Sequence, residues 1–166
     1  MVFPIKLLSK KNNKMSDVND ETIIAICNGE MIDPKNIEDP IFAECVLGQT
    51  IGFIPKDGLF VSPCNGTLEV LFPTKHAFAI RANDGTGYLV HIGIDTVSMN
   101  GDGFKVFKSQ GDTVKAGEKI VEVNLNKIRQ AGHPITTMLI ITERNEGKVY
   151  NFIDYGKIVR AQVISQ

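Results

Sequence analysis

From Thr22 onward, turn-forming dipeptides recur too closely for a long helix to fit between them. They include Asp57-Gly58, Asn65-Gly66, Asp84-Gly85, Asn100-Gly101, Gly111-Asp112, Ala116-Gly117 and Glu146-Gly147. The intervening segments are short, often alternate apolar with polar, and are rich in Val, Ile, Phe, Thr and Tyr. Short strands punctuated this way predict an all-β, compact antiparallel β-sandwich or barrel. Two segments break the pattern and predict helical turns. Pro40-Ile-Phe-Ala-Glu-Cys-Val-Leu has Asp39 ahead of it as a cap, and Leu125-Asn-Lys-Ile-Arg-Gln-Ala is stopped by Gly132-His133-Pro134. The stretch Gly111–Val123 reads as a turn between two strands. Residues 1–20 are polar, Lys/Asn/Asp-rich and aperiodic, and read as a flexible N-terminal tail ahead of one domain over 21–166.

Composition narrows the function. Apolar residues make up 43% of the 166, enough for a real core. A formal net charge of -1 gives no global basic field, so neither nucleic acid nor an anionic membrane surface is an expected partner. No apolar run is long enough to span a bilayer. At the start, a short apolar patch within Met1–Leu8 precedes Lys10, Lys11 and Lys14. A secretory signal has the opposite order, so a cytoplasmic protein is expected. The three cysteines, Cys27, Cys45 and Cys64, form no Cys-x-x-Cys pair and read as reduced thiols.

Three histidines remain as candidates for chemistry. His133, between Gly132 and Pro134, reads as an exposed loop residue. His91 lies in Tyr88-Leu-Val-His-Ile-Gly-Ile-Asp95, which reads as a strand. A period of two puts Tyr88, Val90, Ile92 and Ile94 on a core face and His91 on the other, with Leu89, Gly93 and Asp95. Glycine in a strand marks close approach by another group, so His91 is expected in a shallow depression. His76 lies on a segment joined to that strand through a hairpin loop over Arg81–Gly87, so the two imidazoles could approach. Parity leaves open which face His76 occupies, with Phe78 and Ile80 on one side and Ala77 and Ala79 on the other.

Several blocks resemble, in order and spacing, the glucose-type enzyme IIA (EIIA) domain of the bacterial phosphoenolpyruvate-dependent sugar phosphotransferase system. They are His76-Ala-Phe-Ala-Ile, Val90-His-Ile-Gly-Ile-Asp-Thr-Val97, Gly101-Asp-Gly-Phe104 and Gly111-Asp-Thr-Val-Lys-Ala-Gly117. Asp39-Pro-Ile-Phe-Ala-Glu44, Pro63-Cys-Asn-Gly-Thr67 and Thr74-Lys-His76 also fit. The resemblance runs from about Ile23 to Val163. It implies a β-sandwich of the duplicated hybrid motif type and a phosphoryl relay. The phosphocarrier protein HPr would deliver the group, and a cysteine of an EIIB domain of a membrane sugar permease would take it onward. Carried over by position, His91 is phosphorylated, His76 is the neighbouring active-site histidine, and Thr74 orients His76. The partner-docking candidates are Ile41, Phe42, Leu47, Phe72, Leu89, Asp95 and Val97, with Asp95 expected to pair with a partner's basic residue.

The chemistry suits these residue types. Neutral imidazole has a nucleophilic lone pair near neutral pH, and its phosphoramidate hands the group on readily. The ring must be held in one tautomer by an acceptor for its other N–H, expected to be a carbonyl beside Gly93. A second histidine can donate to the phosphoryl oxygens. Leu47-Gly-Gln-Thr-Ile-Gly52 departs from the family's usual Gly-Asp-Gly type turn, and Asn124 stands where an aspartate is common. No IIB-type cysteine motif or membrane module follows, so a free-standing IIA unit is expected, and the sugar is not encoded. No cofactor is obligatory, although zinc could bridge His76 and His91 if a partner supplied a carboxylate. The rival readings are a regulatory protein that binds permeases or kinases according to phosphorylation state, a lysostaphin-type zinc peptidase and a lipoyl- or biotinyl-like carrier. The peptidase reading lacks its His-x-His pair, because Gly93 stands two after His91. In the carrier reading, Lys115 lacks the expected flanking Asp or Met.

Overall fold

The structure is a computed structural model that describes residues 18–166. Residues 1–17, the bulk of the expected tail, lie outside the described residues. Val18 and Asp20 are held to the body: Asn65 donates to the Val18 carbonyl at 2.7 Å and to Asp20 at 3.0 Å, and Asn83 donates to Asp20 at 2.9 Å.

Among the described residues, eleven short strands carry the fold: β1 (Gly29–Ile32), β2 (Gln49–Pro55), β3 (Leu59–Val61), β4 (Gly66–Leu71), β5 (Ala77–Ala82), β6 (Gly87–His91), β7 (Phe104–Val106), β8 (Thr113–Val114), β9 (Lys119–Val123), β10 (Thr137–Glu143) and β11 (Gly156–Ile158). Eight form one antiparallel sheet in the order β11-β1-β2-β10-β6-β5-β4-β8, and β3-β9-β7 form a second. The edge strands β11 and β8 do not pair, so the expected barrel does not close and the sandwich alternative holds. The helical turns form where expected. Asp39 caps α1 (Pro40–Ala43) through a 2.9 Å bond from Ile41 N–H. Asn124 caps α2 (Leu125–Gln130) by accepting from the N–H groups of Asn126 and Lys127. The departure at Asn124 therefore keeps an acceptor at the cap, which is what a helix start needs.

The centre of the large sheet explains where the site lies. Strand β10 reads Met138-Leu-Ile-Ile141, an unbroken apolar run, and all four side chains are buried. Leu139 and Ile141 enter the main core. Met138 and Ile140 join a smaller cluster with Ile37, Phe42 and Ile94. The strand is thus buried on both faces, the situation in which alternation disappears. In register, Met138 faces His91 across one strand boundary and Gly52 across the other, and Ala77 faces His91 from β5. A Cβ on Gly52 would lie 2.6 Å from Ile32 Cγ1 and 3.2 Å from Ile37 Cδ1, so glycine there lets the small cluster close. Phe42, brought in by α1, lies over this row and is buried.

Candidate functional site

His91 is the last residue of β6, and the strand expected to run to Asp95 stops there. Val90 and Tyr88 point into the main core, as parity requires. Ile92 enters the same core, and beyond it the period of two fails. Gly93 takes φ +70° and Asp95 φ +61°, both left-handed, so Ile94 turns into the Phe42 cluster instead of the main core. Gly93 does not leave a space beside the imidazole as expected. A Cβ on it would sit 2.5 Å from Thr96 Cγ2, and its positive φ favours a residue without one.

The expected carbonyl is Gly93's own. It lies 2.8 Å from His91 Nδ1. A carbonyl only accepts, so Nδ1 carries the proton and Nε2 keeps its lone pair. The N–H of Ile92 donates to the His76 carbonyl at 2.8 Å, extending the β5–β6 pairing one residue past the ladder. That contact brings the two rings together, with centroids 5.0 Å apart and planes at 82°.

His76 lies just before β5, in the turn from β4, and Lys75 ahead of it has φ +61°. Strand parity therefore does not reach His76. Phe78 and Ile80 enter the core, while the His76 ring swings towards His91. Two residues back, Thr74 Oγ1 lies 2.7 Å from His76 Nδ1. If the hydroxyl donates, the His76 proton sits on Nε2. Phe42 packs on His91 with centroids 5.0 Å apart, and Phe72 meets the edge of His76 at 5.7 Å.

Both imidazoles are held neutral. Burial, then the neighbouring His91, lowers the His76 pKa from 6.5 to about 4. Burial also lowers that of His91, opposed by the Gly93 carbonyl and by the carboxylates of Asp39 and Asp95. A neutral ring with a bare nitrogen is a nucleophile at neutral pH. Among the described residues, no group of three or more His, Cys, Asp and Glu could hold a metal. Zinc on the two rings would need a further donor from elsewhere. It would also need His76 Nε2 unprotonated, the opposite tautomer from the one that donates a hydrogen bond.

The docking candidates divide. Ile41 (51%), Leu47 (47%), Phe72 (37%) and Val97 (52%) are exposed, and so is Asp95. Phe42 is buried at 8% and is a wall of the site, not an open contact. Leu89 is half-buried against the same cluster as Phe42. Sequence reasoning missed Val46, which is 64% exposed next to Leu47. It also read Asp39 only as a cap, although its charge acts on His91. His133 is half-buried rather than exposed, with Nε2 3.1 Å from Ser98 Oγ. Cys27 and Cys64 are buried, and all three thiols are free. No helix among the described residues is long and apolar enough to cross a membrane.

Known proteins resemble the chain along most of its length. The family model for the phosphoenolpyruvate-dependent sugar phosphotransferase system, EIIA 1, matches residues 21–147. A glucose-specific EIIA component from Staphylococcus aureus (strain COL) is 35% identical over 157 residues, covering 95% of this chain and 93% of that protein. One from Bacillus cereus is 39% identical over 127 residues, covering 76% and 77%. The solved structure of glucose permease IIA from Mycoplasma capricolum superposes with a TM-score of 0.82 at 36% identity, covering 87% of this chain and 93% of that one.

Proposed function

The chain belongs to the EIIA 1 family of the phosphoenolpyruvate-dependent sugar phosphotransferase system, and we propose that Nε2 of His91 is the atom that carries the phosphoryl group in its relay. The observation that carries this reading is the 2.8 Å bond between His91 Nδ1 and the Gly93 carbonyl. It fixes the one tautomer in which Nε2 is a nucleophile.

In the forward step, Nε2 attacks the phosphorus held on a histidine of HPr. The new N–P bond forms as the old one breaks, and the electron pair stays with the donor imidazole. In the second step, a thiolate of an EIIB domain attacks the same phosphorus, and the electron pair returns to His91 Nε2. His76 donates from Nε2–H to the phosphoryl oxygens, with Thr74 holding that tautomer through Nδ1. Phosphoryl transfer depends on positioning and on stabilising oxygen charge, so a fixed donor beside the nucleophile is the chemistry required. Phe42 and Phe72 seat the two rings. The exposed Ile41, Val46, Leu47, Phe72 and Val97 form an apolar docking face for HPr and then EIIB, and Asp95 pairs with a basic side chain at its rim. The glucose-specific names of the relatives favour a glucose-type permease downstream.

The relay is tested by mixing the protein with phosphorus-labelled phospho-HPr and then chasing with EIIB. The parent takes up label and passes it on. His76→Gln takes up label but releases it to EIIB roughly a hundredfold more slowly, the scale of losing one oxyanion donor. Equal release by the two proteins would remove His76 from the transfer.

A further inference from the structure

The tautomer of His91 depends on where the Gly93 carbonyl points, and that depends on the two peptide planes that meet at Gly93. The carbonyl itself belongs to the Gly93–Ile94 plane, whose N–H is held by Pro134, and that plane turns off the Ile92–Gly93 unit, whose two polar ends are each met by a threonine hydroxyl. Thr96 Oγ1 donates to the Ile92 carbonyl. Thr137 Oγ1 accepts from the Gly93 N–H at 3.4 Å, while its own proton goes to the Ile135 carbonyl at 3.0 Å. Both threonines are fully buried, at 0% exposure. They reach that unit from different places. Thr96 comes from the turn four residues on, and Thr137 from the first position of β10.

Two further contacts leave the loop no other course. The methyl of Thr96 lies against Gly93 so closely that a Cβ there would be 2.5 Å away. The Ile94 N–H donates to the Pro134 carbonyl at 3.1 Å. Gly93 at φ +70° could rotate freely on its own, because glycine has little preference between left- and right-handed backbone. Something outside the glycine must choose.

We infer that the buried hydroxyls of Thr96 and Thr137 clamp the Ile92–Gly93 peptide and, with the next plane held through Pro134, aim the Gly93 carbonyl at His91 Nδ1, which keeps the tautomer that leaves Nε2 free. They are positioning residues that act through the Gly93 carbonyl and touch no phosphoryl group. The inference deepens the relay reading above and rests on it for its consequence, but the clamp itself is a property of the uncharged protein. Thr96 is the stronger arm, because the 3.4 Å bond to Thr137 is long for an N–H donor.

The test uses isosteric and conservative variants of the whole chain. Thr96→Val keeps the methyl packing and removes the hydroxyl, Thr96→Ser returns the hydroxyl, and Thr137→Val removes the other arm. Nitrogen-15 spectra of the imidazoles report where the His91 proton sits, and phospho-HPr uptake reports the rate. The parent is expected to show a single Nδ1–H tautomer. Thr96→Val mixes the two tautomers and slows uptake roughly tenfold to a hundredfold, the scale of a small misplacement at a reacting centre. Thr96→Ser restores the single tautomer, and Thr137→Val gives a weaker version of the Thr96→Val result. A folded Thr96→Val with the parental tautomer and rate overturns the clamp. If Thr96→Val does not fold, Thr137→Val decides, and a parental tautomer and rate there overturn the clamp too. A parent with the Nδ1–H tautomer that takes up no phosphoryl group overturns the relay reading, and the spectra still judge the clamp.

Discussion

At the residue scale, the site depends on keeping two histidines neutral against their ordinary tendency to charge in mild acid. His76 takes a proton only near pH 4, whereas the unfolded chain takes one near 6.5. Between those values the unfolded state binds more protons, so stability falls as pH falls from 6.5 towards about 4, and it is flat with respect to His76 above that window. Urea midpoints across this range should show the decline, and His76→Gln should flatten part of it. An unchanged slope in the variant would mean that His76 is not buried as described. For His91 the lowered pKa means that Nε2 stays unprotonated through neutrality, so uptake should hold steady as pH drops to 6.5 and fall only below it. Gly93 is the second sensitive residue. Gly93→Ala places a methyl into the Thr96 side chain at a left-handed φ, and should cost about 1–3 kcal/mol of stability in denaturant unfolding.

At the element scale, the site is built by a strand that ends and a turn that begins. The alternation of Tyr88, Val90 and His91 was legible because β6 obeys a period of two. The strand ends at His91 and not at Asp95; a pattern of apolar residues does not reveal where backbone dihedrals change sign. Ile94 is apolar in either arrangement, and only the left-handed Gly93 and Asp95 send it to the Phe42 cluster. His76 was ambiguous for the same reason, since it stands outside its strand. The caps were easier, because Asp39 and Asn124 satisfy local donors that sequence spacing announces. Asn124→Ala should therefore destabilise the protein by about 1 kcal/mol, seen as a lower melting temperature with phosphoryl uptake intact. Asn124→Asp should be tolerated. The Thr96–Thr137 clamp was not legible, because its two members come together only through the placement of β10 beside the His91 turn.

At the scale of the whole molecule, a relay must present one nitrogen to two different proteins in turn. The exposed apolar residues Ile41, Val46, Leu47, Phe72 and Val97 fit that need, and their exposure was what residue patterning could not supply. Phe42 and Ile41 are adjacent in sequence, yet one is a buried wall and the other is 51% exposed. Replacing Ile41 or Val97 with Asp should weaken HPr docking by putting a charge into the apolar face, raising the half-saturating HPr concentration while leaving the His91 tautomer unchanged. The relay turns on His91. The direct measurement is intact mass after incubation with phosphoenolpyruvate, enzyme I and HPr, run on the parent, His91→Ala and His76→Gln. Phosphorylation at His91 predicts one added phosphoryl group on the parent and on His76→Gln, and none on His91→Ala. No gain on the parent, or a gain on His91→Ala, would contradict it.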